Sequence, residues 1–152
     1  MIRAFWSDLC DAPRAALVFG LGGLLPFIAL TTLALVAPTL AHCDWLLVLA
    51  HYAAVIVSFV GALHWGYAVK EGAQGRDAWL RYGWSVLPAL IAVIALQLPT
   101  PSGLRLDALM ILSALRVDQW IDQRRQISEW MRSLRLLLTV IVAALLVVAS
   151  YA

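Results

Sequence analysis

Charge is scarce in this sequence: Asp, Glu, Lys and Arg make up 13% of its 152 residues, against 63% hydrophobic residues. A soluble fold of this length could not hide so much apolar surface, so the surrounding solvent must be lipid. The net charge of +2 comes without a polybasic block, which argues against nucleic acid as a partner. Cysteine is scarce as well. Cys10 and Cys43 lie before and after the first apolar run, on opposite membrane faces, so no intrachain disulfide is expected. HExxH, cysteine pairs at ligand spacing, a Walker glycine loop and GxSxG are all missing. Metal hydrolysis, nucleotide binding and serine catalysis therefore lack a constellation. With no internal repeat and only isolated prolines, a transporter built on paired broken helices is disfavoured.

What the chain does contain is long runs free of charge: Ala15 to Cys43, Trp45 to Val69, Tyr82 to Leu104 and Leu136 to Ala152. A spanning helix needs about 20 such residues. The pattern predicts an all-α integral membrane protein, a single transmembrane domain over 1–152. A short interfacial segment, 1–14, precedes spans at about 15–37, 45–69, 82–98, 104–121 and 134–151. The first run is too long for a signal peptide and contains Pro26, so an uncleaved span is expected. Pro99, Pro101 and Gly103 are expected to end the third span. The fourth span is the most charged. Treated as a helix, it places Asp107, Asp118 and Asp122 on one stripe and Arg105 with Arg116 on another.

Positive residues favour the cytoplasmic side, and they crowd the amino terminus, the second loop and the fourth loop. The expected arrangement is a five-helix transmembrane bundle with its amino terminus cytoplasmic and its carboxyl terminus outside. Within it, Ala54, Ser58, Ala62 and Gly66 recur every four residues, a ridge suited to close packing against Gly20 and Gly23 of the first span. His64 projects from roughly the opposite side.

Helix projection brings His64, Trp65, Arg81, Trp84, Arg116, Asp118, Asp122 and Arg135 into the cytoplasmic half. These are the candidate residues for a ligand or proton site, because ionisable groups within a membrane are functional suspects. Each also has a structural reading: the tryptophans as interfacial anchors, His64 as an interhelical hydrogen-bonding group. No catalytic residue, metal site or cofactor is expected. Haem would need paired axial ligands, yet His51 and His64 face opposite ways and His42 lies in the outer loop.

The stretches LGGLLPF at 21–27, SFVGALHWGYA at 58–68, RYGWSVLPALIA at 81–92 and LRLLLT at 134–139, the last preceded by Asp122, carry a resemblance. The chain resembles the domain-of-unknown-function family 3429, small multi-span membrane proteins with animal mitochondrial members. It departs from that pattern in its fourth helix, where Arg116 and Asp118 stand. The resemblance implies a multi-pass protein of the bacterial inner (cytoplasmic) membrane and no particular activity. Tight packing residues and short loops favour a non-enzymatic protein that packs with, assembles or modulates a larger membrane complex. Its expected partners are the lipid bilayer and other inner-membrane proteins or further copies of itself. The alternative is a cytoplasmic-side pocket around His64 that binds or transports a quinone, a lipid headgroup or a proton-coupled solute.

Overall fold

The computed structural model describes residues 8–36, 44–122 and 128–152, with the side chains of 121 and 122 left out. The expected interfacial segment before Asp8, the outer-loop residues His42 and Cys43, and the Asp122 side chain lie outside the described residues. The described chain is helical, in the order α1 (Arg14–Gly22), α2 (Leu24–Val36), α3 (Trp45–Lys70), α4 (Gly75–Gln97), α5 (Thr100–Asp122) and α6 (Glu129–Ala149). Among the described residues, four stretches are long and apolar enough to cross a membrane: Arg14–Val36, Trp45–Lys70, Gly75–Gln97 and Glu129–Ala149. The fifth long helix, α5, has 23 residues like α4 and so a similar length of about 34 Å, but its charges set it apart.

Local chemistry explains several boundaries that differ from expectation. The first run is broken at Gly23, and Pro26 falls in the first turn of α2, where its missing N–H removes no helical bond. The Tyr52 hydroxyl donates to the Gly23 carbonyl at 3.0 Å, which satisfies one acceptor at the break. Asp44 caps α3 by accepting from the Leu47 N–H at 3.0 Å. At its other end Gly72 takes a left-handed φ of 62°, and Ala73 N–H returns to Ala68 O at 3.0 Å, a Schellman stop.

α4 begins at Gly75, well before Tyr82, because Asp77 in its first turn pairs with Arg81 at 2.6 Å. α5 begins at Thr100, so Pro101 and Gly103 open that helix as well as closing the linker. The bonds Ser102 N–H to Pro99 O at 2.8 Å and Gly103 N–H to Pro99 O at 3.0 Å start its first turn. α6 likewise starts early, at Glu129, which pairs with Arg132 at 3.1 Å.

Neighbouring helices close a ring, α2–α3–α4–α5–α6 and back to α2, with α3 and α5 also touching across it. Five members cannot alternate direction all the way round, so one adjacent pair must be parallel. That pair is the first and last helices: Ser133 Oγ donates to Asp8 Oδ2 at 3.2 Å, and Leu134 and Leu138 pack beside Gly20. Phe27, Leu49, Leu104 and Leu146 fill the centre with small residues such as Ala50, Ala53 and Ala114. Large apolar side chains cover the outside too, among them Phe19, Val55, Phe59, Leu90, Ile94 and Leu109. An apolar exterior around a tightly packed interior is what a lipid solvent selects.

The closest helix approaches use glycines outside the expected ridge. A Cβ on Gly61 would sit 2.7 Å from Ser85 O and 2.8 Å from Pro88 Cγ, so α3 and α4 cross backbone to backbone there. A Cβ on Gly103 would overlap the Ala95 carbonyl, which fixes the α4–α5 turn in the same way. Gly20 meets α6 through Leu134 and Leu138, while Gly23 lies near Tyr52 of α3. Of the ridge on α3, Ala54 is buried and Ser58 half-buried, but Ala62 and Gly66 are exposed.

Candidate functional site

Histidine in a mid-helix position of α3 gains from a hydrogen-bonding partner on a neighbouring helix, since lipid offers none. His64 finds one. Its Nε2 lies 2.6 Å from Asp118 Oδ1 on α5, and its side chain is only 4% exposed. The second carboxylate oxygen, Asp118 Oδ2, accepts from Arg135 Nε on α6. One carboxylate therefore ties together three helices that are far apart in sequence. Asp118 and Arg135 are 15% and 17% exposed, so the pair is largely removed from solvent and the interaction is charge-assisted.

Aromatic residues enclose the histidine. The ring of Tyr67, one turn along α3, stands edge-on at 6.4 Å, and that of Trp84 on α4 at 6.5 Å. Tyr67 donates its hydroxyl to Met131 Sδ at 3.2 Å, joining α3 to the start of α6. Trp84 Nε1 is buried without a hydrogen-bond partner among the described residues.

The other candidates are placed elsewhere. Arg81 bonds Glu71 at 2.8 Å and Asp77 at 2.6 Å, clamping the α3–α4 loop. Trp65 is half-exposed and packs on Tyr82 at 4.7 Å. Arg116 is exposed, on the outer side of α5. His51 is exposed, with Nδ1 2.7 Å from the Leu47 carbonyl of its own helix. Thus the Asp118 partner is Arg135, and Arg116 of the same helix points away from it.

Two polar features of the opposite end have little signature in the sequence. Arg105 reaches from the first turns of α5 to Ser150, with Nε 3.0 Å from Oγ and Nη2 3.3 Å from the backbone oxygen, and lies 4.8 Å over the Tyr151 ring. Asp107, two residues on, is fully buried, and neither carboxyl oxygen has a hydrogen-bond partner among the described residues. The only sequence signal for either was their depth. Spacing within α5 gives the side of the helix, and the partner depends on how the helices are turned toward one another.

A carboxylate held between an imidazole and a guanidinium has both oxygens occupied, and the imidazole is covered by aromatic rings. That geometry favours fixing helices over presenting a reactive group. Among the described residues, no group of three or more His, Cys, Asp or Glu is placed to hold a metal ion.

Helices with apolar exteriors, joined inside by a three-helix polar lock, define a helical membrane protein. The chain belongs to the family described as Protein of unknown function (DUF3429), which matches residues 12–151. It is similar to Transmembrane protein 69 of Xenopus tropicalis, with 31% identity over 147 residues, covering 93% of this chain and 55% of that protein. Transmembrane protein 69 of Mus musculus is 24% identical over 143 residues, covering 91% of this chain and 56% of its own. The chain thus spans about half the length of these relatives. No solved structure matches it.

Proposed function

We propose that this protein is a non-enzymatic helical component of the bacterial inner membrane that packs with, assembles or modulates a larger membrane complex. In this reading all five long helices cross the bilayer, with the amino terminus cytoplasmic and the carboxyl terminus outside. α5 is accommodated by partners for two of its charges. Asp118 is paired inside the bundle with His64 and Arg135, and Arg105 is bound to Ser150 beyond the end of α6.

The observation that carries the assembly role is the uncovered part of the α3 ridge. Ala62 and Gly66 face outward, and a Cβ at Gly66 would meet nothing within 4 Å. Small outward residues in lipid leave backbone within reach of another helix, where packing and weak hydrogen bonds drive association. Blue-native separation from native membranes, with mass spectrometry of co-migrating proteins, tests the role. The wild-type chain is expected in a larger species that Ala62→Leu with Gly66→Leu reduces or abolishes. A solitary monomer at native abundance is the outcome that sinks the reading.

A further inference from the structure

Away from α4, helices α1, α2, α3 and α6, with Ile111 of α5, leave a cleft of about 160 Å³. It exists because Gly20 and Gly23 put no side chain where the first helices pass α3 and α6, and Phe19 and Phe59, both exposed, stand on its lining. Nearly all of its lining is apolar. The polar exceptions are Arg135 and Thr139 of α6.

Their position gives the cleft a direction. Along α6, Arg135 is followed by Thr139 and then Val142; along the parallel first helices, Gly20 is followed by Gly23 and Phe27. The cleft is therefore polar toward the arginine-rich end of the bundle and apolar toward its middle. A phospholipid in the adjoining leaflet has that same polarity. Arg135 commits its Nε to Asp118, but a guanidinium carries five N–H donors, and those on its terminal nitrogens are not used by that bond. An apolar cavity of about 150 Å³ is large enough to hold a benzene-sized guest, so this one takes a stretch of hydrocarbon chain and leaves the rest of the lipid outside.

We propose that the cleft holds part of one acyl chain of an anionic phospholipid whose phosphate is bound by Arg135. The inference does not rest on the assembly role: it needs the cleft and Arg135, and its two substitutions leave Ala62 and Gly66 unchanged. The full-length protein, purified in detergent and mixed with equal amounts of phosphatidylglycerol and phosphatidylcholine, is examined by native mass spectrometry. One tightly held phosphatidylglycerol is expected, favoured about fivefold, the preference a single basic contact supplies. Arg135→Gln is expected to remove the preference. Ile56→Trp, which fills the cleft and leaves Arg135 and its ion pair in place, is expected to remove the retained lipid, so the idea remains testable if Arg135→Gln fails to fold. Equal retention of the two lipids by the wild type, or a phosphatidylglycerol preference unchanged in Ile56→Trp, overturns it.

Discussion

Asp118 is the residue that joins His64 and Arg135 inside the bundle. Removing it leaves the His64 ring and the Arg135 guanidinium facing one another in a site with little solvent, so the loss exceeds that of one ordinary hydrogen bond. Breaking a buried ion pair from one side costs about 3–5 kcal/mol. Asp118→Ala is expected to lower stability by that order in chemical unfolding of the detergent-solubilised protein. Arg135→Ala should cost less on the Asp118→Ala background than on the wild type, and strictly additive losses in the double-mutant cycle would contradict the coupling. At Gly61 the constraint is steric. A side chain there runs into Ser85 O and Pro88, so Gly61→Val is expected to destabilise by at least about 1–3 kcal/mol, whereas Gly66→Val, facing open space, changes stability much less in a monomeric detergent preparation. Comparable losses at the two glycines would remove the distinction between a packed and an open face.

At the scale of helices, the apolar runs were legible because lipid demands long uninterrupted stretches and the sequence has them. Their ends were harder to read. Pro101 and Gly103 have the residue types of a stop, yet first-turn geometry tolerates both, and only the Pro99 carbonyl accepting from Ser102 and Gly103 reveals a start. The candidate site was partly legible for a similar reason. Counting residues placed His64, Asp118, Arg116 and Arg135 at one depth. Spacing put Arg116 on a different stripe of α5 from Asp118, but it could not name Arg135 as the carboxylate's partner, because that depends on how α5 and α6 are turned toward one another. The Gly61 and Gly103 contacts fix how α3, α4 and α5 approach, and no periodicity in the chain announces them.

The proposed crossing of α5 has its own test at this scale. With Cys43→Ser in place, Cys10, which is exposed, should react with a membrane-impermeant thiol reagent from one side of sealed vesicles. Tyr151→Cys, at another exposed position, should react from the opposite side. Both labels appearing on one side would mean that α5 does not cross.

For the molecule as a whole, the parallel contact between its first and last helices has a consequence for how it is made. Ribosomes deliver α1 before α6, so the seam between them stays unsealed until α6 emerges. Until α6 emerges, Asp8 lacks Ser133, Gly20 lacks Leu134 and Leu138, and Asp118 lacks Arg135 beside His64. A nascent chain that stops after α5 thus carries an incompletely paired carboxylate and an open flank into the bilayer. Closure of the helical ring therefore waits on α6, which seals the flank of α1 and supplies the second partner of Asp118 in one step.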